Sequence, residues 1–170
     1  MMNRIAVCAV ALLLGLLLAP AWAETLEGRV VRVADGDTIT VLDAQREQHR
    51  VRLAGIVAPQ KQQPYASRSR EYLSKWVYRR YVIVEWHNKD RYGRLVGVVF
   101  VDGHDVNLEQ VRAGYAWWYR DHSREQTPAD REVYELAERA ARERKLGLWA
   151  DPKPVPPREW LGTNRENHSR

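Results

Sequence analysis

Residues 26–56, LEGRVVRVADGDTITVLDAQREQHRVRLAGI, decide the fold. The stretch contains three runs rich in Val, Ile, Leu and Thr, at residues 26–33, 37–43 and 48–56. The short sequences Ala-Asp-Gly and Ala-Gln-Arg separate these runs. Runs of this length and composition between turn residues are typical of β-strands. The sequence therefore predicts three consecutive antiparallel strands.

A helix and two further strands follow. Pro64 opens a segment whose apolar residues recur at helical spacing as far as Val77, and proline suits the first turn of a helix. Residues 81–86 and 95–101 read as strands joined by the polar residues 87–93.

The last part of the chain predicts two more helices. Asn107 is expected to cap a short helix that stops at Gly114. Thr127-Pro128 begins a longer helix. The residues expected on one apolar face of that helix are Val133, Leu136, Ala137 and Ala140. Residues 151–157 hold four prolines and predict an extended strap.

This order of elements predicts an α+β fold that is mainly β. Five strands, interrupted by one helix and followed by two, fit a five-stranded OB-fold barrel with three helices. Closing the sheet into a barrel removes its exposed strand edges. The same fold serves many functions, so the fold alone does not identify the activity.

The first 23 residues predict a secretory signal peptide. Arg4 precedes an apolar run from Ile5 to Ala19, and an Ala-x-Ala sequence ends at Ala23, where cleavage is expected. The run is too short for a membrane span, although an uncleaved anchor is the alternative. We therefore expect a secreted or periplasmic protein that does not bind the membrane once the signal is removed. It would have one domain at residues 24–160 and a flexible tail at 161–170, and it is expected to be a monomer.

Positive charge is concentrated in the middle of the chain. Residues 61–94 carry nine basic and three acidic side chains, whereas residues 24–60 carry five basic and six acidic ones. A local excess of this kind suits a polyanion, because neutralising phosphates drives sequence-independent nucleic-acid binding. A solvated face without a ligand is the alternative.

Three motifs carry a resemblance to a known family. They are Ala-Asp-Gly-Asp-Thr at residues 34–38, Arg-Leu-Ala-Gly-Ile-Val-Ala-Pro-Gln at 52–60 and Asp-Arg-Tyr-Gly-Arg at 90–94. Together with Gly-Leu-Trp-Ala-Asp-Pro at 147–152, they resemble the staphylococcal nuclease (thermonuclease) family over roughly residues 26–160. The resemblance implies calcium-dependent endonucleolytic hydrolysis of DNA or RNA phosphodiesters.

The resemblance also assigns site residues. Asp37 matches the first metal-binding aspartate, with Asp35 behind it as a supporting acid, and the main-chain carbonyl of Ala58 matches a further metal ligand. Arg52 and Arg94 match the two arginines that hold the phosphate, and a forked guanidinium suits bidentate phosphate contact.

Two positions depart from the family pattern. Where the family has Ile-Asp-Ala-Pro-Glu, this chain has Ile-Val-Ala-Pro-Gln, so Val57 replaces a metal aspartate and Gln60 replaces the glutamate proposed to activate water. Valine offers no oxygen ligand, and an amide does not accept a proton at neutral pH. Calcium binding is therefore expected to be weak, because calcium affinity follows ligand charge and number.

The basic segment supplies the expected nucleic-acid contacts. Tyr92 and Arg91 lie in the loop that meets substrate in relatives, and Lys61 and Arg68 extend the positive surface. The alternative for Arg52 and Arg94 is an ion pair with acids such as Asp35 or Asp37. Residues 117–119, Trp-Trp-Tyr, favour packing between barrel and helix over base stacking.

Three functions remain open at this stage. The first is a nucleic-acid-binding protein whose hydrolysis is weakened or lost. The second is an active nuclease in which another group replaces the missing ones: Asp35, a different ion, or a histidine such as His49 or His87. The third is a non-catalytic scaffold.

Overall fold

A computed structural model describes residues 24–161 of the chain. The strands are β1 (Glu24–Val33), β2 (Thr38–Leu42), β3 (Gln48–Leu53), β4 (Ile56–Val57), β5 (Tyr81–Lys89), β6 (Leu95–Val101), β7 (His104–Asp105) and β8 (Trp117–Trp118). The helices are α1 (Ala66–Val77), α2 (Val106–Arg112) and α3 (Pro128–Glu143), with 3₁₀ helices at Arg120–Glu125 and Gly147–Ala150. The predicted signal peptide and residues 162–170 of the predicted tail lie outside the described residues.

Five strands form a closed barrel, as predicted. Their order is β3-β2-β1-β5-β6, and β3 pairs with β6 to close the sheet. The closing pair is parallel, with Val51 opposite Leu95, Arg52 opposite Val96 and Leu53 opposite Gly97. The other barrel pairs are antiparallel. Outside the barrel, β7 pairs antiparallel with the end of β6, and β4 pairs with β8 as a separate two-stranded sheet.

β-Branched side chains fill the barrel. The fully buried residues include Val30, Ile39, Val41, Val51 and Val99. Alternate residues of β1 and β5 are buried while their neighbours face solvent, which is the pattern of a sheet with one covered face. Leu73 and Val77 of α1 belong to the same core cluster.

The predicted cap of the second helix is wrong. The side chain of Asp105, and not that of Asn107, accepts a hydrogen bond from the backbone N–H of Leu108 at the start of α2. Asn107 is instead fully buried. Its Oδ1 accepts from the N–H of Val99, and its Nδ2 donates to the carbonyls of Ala54 and Gly97. The amide therefore ties α2 to the barrel.

The start of the third helix is confirmed, but its predicted face is only partly correct. Ala137 packs against the core, whereas Val133, Leu136 and Ala140 are exposed. Thr127 caps α3 in a reciprocal capping box with Asp130. Val133 and Leu136 are 43% and 45% exposed, whereas the buried residues are Tyr134, Glu138 and Ala141. The apolar pattern misled because the buried side includes an acid: Glu138 accepts a hydrogen bond from the backbone N–H of Trp118 at 3.1 Å.

Both tryptophans of the predicted packing run are buried. Trp117 and Trp118 are 7% and 9% exposed, and β8 lies against β4. The strap has no regular secondary structure at residues 154–156. Within the described residues, no helix has the length and apolar character needed to cross a membrane.

Asn107→Ala should destabilise the fold. The substitution leaves the Val99 N–H and the Ala54 and Gly97 carbonyls without their buried partner, so we expect the free energy of unfolding to fall by about 3 kcal/mol. Urea denaturation measures the change, with the exposed Gln45→Ala as the control. A loss below about 0.5 kcal/mol would contradict the bracing role of Asn107.

Candidate functional site

A cleft of about 610 Å³ opens between the barrel rim and the 3₁₀ turn Arg120–Glu125. Eight residues singled out from the sequence line it: Asp35, Asp37, Arg52, Val57, Gln60, Arg91, Tyr92 and Arg94. Ala58 is buried beside the cleft. Lys61 lines a neighbouring depression that shares Asp35 and Gln60. Arg68 lies elsewhere on α1, with its guanidinium 5.5 Å from the ring centre of Tyr65.

The turn between β1 and β2 contacts two helices, α1 and α2. A Cβ at Gly36 would lie 1.8 Å from the Ser69 hydroxyl on α1, so only glycine allows this close approach. The Gly36 carbonyl accepts a hydrogen bond from Gln110 of α2 at 2.6 Å. These contacts place Asp35 and Asp37 at the edge of the cleft.

Asp37 is buried and closely surrounded by donors. One of its carboxyl oxygens accepts from the Thr38 hydroxyl and the other from the N–H of Ala58, both at 2.9 Å. Burial and the neighbouring Asp35 raise the pKa of Asp37 to about 7, against the opposing effect of these hydrogen bonds. The carboxyl group is therefore partly protonated at neutral pH.

The groups around Asp37 do not match what calcium requires. Calcium takes six to eight oxygens, with carboxylates contributing most to affinity. Val57 supplies no oxygen, and the Ala58 carbonyl accepts a hydrogen bond from the Gln60 amide at 3.2 Å. Across residues 24–161, one group of three His or carboxylate ligands lies close enough to share an ion, and it is in the β2–β3 turn, at Asp43, Glu47 and His49.

Arg52 is paired with an acid that the sequence did not suggest. Its Nη2 donates to Oε1 of Glu125, and the second oxygen of Glu125 accepts from the N–H of Gly55 at 3.0 Å. The side chains of Arg52 and Glu125 are only 11% and 14% exposed. The sequence offered Asp35 or Asp37 as an ion-pair partner for Arg52. The observed partner, Glu125, lies 73 residues from Arg52 in the sequence.

Arg94 reaches the same cleft from the β5–β6 turn. Its Nε donates to Asp90 at 2.7 Å, and its Nη1 lies 3.3 Å from the Thr38 hydroxyl. Partial burial would raise the pKa of Asp90, but hydrogen bonds from Arg94 and the N–H of Tyr92 outweigh it, so the pKa lies below its usual value. Tyr92 is 63% exposed, and its ring lies beneath the Arg91 and Arg94 guanidinium groups.

Sequence reasoning missed His122 and Glu125 as cleft residues, and it favoured packing for Tyr119, which lines the cleft. They occupy an irregular stretch between β8 and α3, where neither periodicity nor turn spacing predicts which way a side chain points. The one feature of the sequence that could have indicated them is the spacing of His122 and Glu125, which lie three residues apart. The histidines considered earlier, His49 and His87, do not line the cleft.

The cleft is lined by three arginines and four acids, and it has Val57 and Gln60 at two positions that the resemblance assigns to acids. The guanidinium groups of Arg52, on β3, and Arg94, in the β5–β6 turn, face one cavity, which is an arrangement that can hold a phosphodiester. Gln60 points its amide at the Ala58 carbonyl and offers no proton acceptor of useful basicity. The geometry thus favours phosphate binding over water activation at position 60.

Asp37→Asn should change how stability depends on pH. Between about pH 4 and pH 7 the folded chain retains a proton on Asp37 that the unfolded chain releases, so this group lowers stability as pH rises and its effect levels off above pH 7. We expect the variant to gain on the order of 2 kcal/mol over the native chain at pH 8 and little at pH 4. Urea denaturation at both pH values, with Glu132→Gln as the charge-matched control, provides the measurement. Equal gains at the two pH values would contradict the raised pKa.

Comparison with known proteins fits this architecture. The family model described as staphylococcal nuclease homologue matches residues 50–151. The chain is 44% identical over 161 residues to Protein ParB of Escherichia coli, covering 89% of this chain and 86% of the relative. It is 41% identical over 150 residues to a micrococcal nuclease of Shigella flexneri, covering 83% of each. An uncharacterized endonuclease of Escherichia coli O157:H7 is 40% identical over 148 residues, with 86% of this chain and 91% of the relative covered. The chain therefore belongs to the staphylococcal nuclease family.

Proposed function

We propose that the protein binds single-stranded nucleic acid in the cleft through its phosphodiester backbone, and that its calcium-dependent hydrolysis is weak. The observation that carries the proposal is the convergence of Arg52 and Arg94 on one cavity that lacks two of the family's acids. In this proposal the protein is an exported monomer, found in the periplasm or outside the cell.

Binding is supported by the charge around the cleft. Arg91 is exposed beside the two inner arginines, and Tyr92 offers an exposed ring on which a base can stack. Lys61 in the neighbouring depression continues the positive surface. Arginine contacts of this kind hold the backbone without reading sequence, so DNA and RNA are both candidate ligands.

Weak hydrolysis is supported by the missing groups. Val57 cannot ligate a cation, and Gln60 cannot accept a proton from water. An active nuclease with a replacement group is a second candidate, and the unexpected presence of His122 in the cleft favours it.

Affinity for single-stranded DNA should depend on Arg94 and on salt. Fluorescence anisotropy with a labelled oligonucleotide is expected to show binding at low salt that weakens as salt rises. Arg94→Ala should weaken binding about 10- to 100-fold, because it removes a charged phosphate donor. Arg139→Ala, an equal change of charge on the exposed side of α3, should stay within about twofold of the native chain.

The outcomes of this titration separate binding from a scaffold role. No association at low salt would refute nucleic-acid binding. Equal affinities for Arg94→Ala and Arg139→Ala would show that binding occurs outside the cleft.

Restoring the two acids should restore calcium-dependent cleavage. The double variant Val57→Asp and Gln60→Glu is expected to cleave single-stranded DNA at least about 100-fold faster than the native chain in calcium, because it regains a charged ligand and a proton acceptor. The matched control is Val57→Asn with Gln60 retained, because Asn and Gln are the uncharged counterparts of Asp and Glu. Gel assays with calcium and with chelator measure the difference. Equal, calcium-dependent rates for native chain and double variant would contradict the proposed weakening.

A further inference from the structure

Glu125 links an imidazole to the phosphate-binding arginine. Its Oε1 contacts Nδ1 of His122 at 2.7 Å and accepts from Nη2 of Arg52 as well. His122 has 46% of its side chain exposed, and it lines the same cleft as Arg52 and Gln60. One carboxylate oxygen therefore separates a titratable ring from the guanidinium that faces the phosphate position.

The segment that carries this pair is anchored at both ends. The Tyr119 ring stacks on His122 with centres 4.4 Å apart, and the Tyr119 N–H donates to the Gly55 carbonyl at 2.8 Å. After Glu125, the buried Gln126 accepts from the indole N–H of Trp118 at 2.9 Å. These contacts fix the imidazole in the cleft before any ligand arrives, which is what a positioned acid–base group requires.

The hydrogen bond also determines which ring nitrogen is available. An ionised carboxylate only accepts hydrogen bonds, so the contact with Glu125 keeps the proton of the neutral imidazole on Nδ1. Nε2 of His122 then carries the free lone pair. A carboxylate that orients an imidazole in this way is the general arrangement by which a histidine becomes an effective base.

We propose that His122 is the general base of this cleft, that Glu125 is its positioning residue, and that the pair hydrolyses phosphodiesters without a metal ion. This inference rests on the proposed binding of a phosphodiester between Arg52 and Arg94. It identifies a proton acceptor that takes over the task for which Gln60 is unsuited.

The reaction balances with water as the only co-reactant. Nε2 of His122 takes a proton from water while the water oxygen forms a bond to phosphorus. The bond from phosphorus to the leaving sugar oxygen breaks, and that oxygen takes a proton from solvent. Imidazolium then releases its proton to solvent, which restores the starting state. Arg52 and Arg94 face the negative charge that accumulates on the phosphoryl oxygens.

Other acid–base groups of the cleft are less suited to the task. The two oxygens of Asp37 already accept hydrogen bonds from Thr38 and Ala58. Asp90 is engaged by Arg94 and by two backbone N–H groups. Asp35 accepts from the N–H of Asp37 through Oδ1. Glu125 itself is held by Arg52 and Gly55, whereas His122 is partly exposed and has a second ring nitrogen to offer.

The test is cleavage of a labelled single-stranded DNA oligonucleotide by the purified protein in excess chelator. We expect slow but measurable cleavage by the native chain and a loss of about 10²- to 10³-fold in kcat for His122→Ala. Added imidazole should restore much of the lost rate in that variant. His87→Ala, which removes an exposed histidine outside the cleft lining, should match the native chain.

Glu125→Ala separates positioning from a merely structural role. Removing the carboxylate should lower kcat, because the imidazole loses its orientation, and should also lower KM, because Arg52 becomes free for phosphate. In the double variant with His122→Ala, imidazole should restore less activity than in His122→Ala alone. A structural role would instead lower kcat with KM raised or unchanged.

Three results would overturn the inference while leaving nucleic-acid binding intact: no cleavage in chelator by a chain that binds the oligonucleotide, full activity of His122→Ala, or a loss that imidazole does not restore. If thermal denaturation shows that His122→Ala is unfolded, His122→Asn is subject to the same criteria. Absence of oligonucleotide binding would refute the proposed function itself.

Discussion

The parallel pairing of β3 with β6 is the constraint on which the cleft depends. It joins strands that are far apart in sequence, with Arg52 opposite Val96. Arg94 precedes β6 by one residue, so closing the barrel brings the two guanidinium groups to one rim. In an open sheet without the β3–β6 pairing, the two arginines would lie apart, near different strands. The closed core of Val and Ile holds this register, because a slip of one residue would turn the buried side chains outward.

Arg52 and Arg94 each have an internal counterion, and the two pairs differ in consequence. Arg94 and Asp90 lie four residues apart in one turn, so their contact is local and shapes the loop. Arg52 and Glu125 join the barrel to the segment before α3. Both side chains are largely buried, so losing one partner would leave a costly unpaired charge. A phosphate must therefore share Arg52 with Glu125 or displace it, and sharing is feasible because a guanidinium carries five N–H donors.

Prediction from sequence succeeded where information is local. Strand composition and turn residues gave the five barrel strands, and Thr127-Pro128 gave the start of α3. Sequence prediction failed where a polar side chain is buried because it forms hydrogen bonds to a distant part of the chain. Asn107 looked like a cap but bonds to β6 and to Ala54, and Glu138 takes a buried position that the apolar pattern gave to Val133 and Leu136. Family motifs gathered eight cleft residues, but Glu125 belongs to no motif.

The absence of carboxylates at positions 57 and 60 changes the charge balance around Arg52. In a cleft with Asp at position 57 and Glu at position 60, two more carboxylates would compete for the arginines and would favour a cation. With Val57 and Gln60 that competition is absent, and Glu125 serves as the anionic partner of Arg52. The same carboxylate then contacts the Nδ1 atom of His122 through the oxygen that binds Arg52. One acid thus contacts both the guanidinium of Arg52 and the ring of His122, and in the proposed reaction it would balance the charge of the one and orient the other.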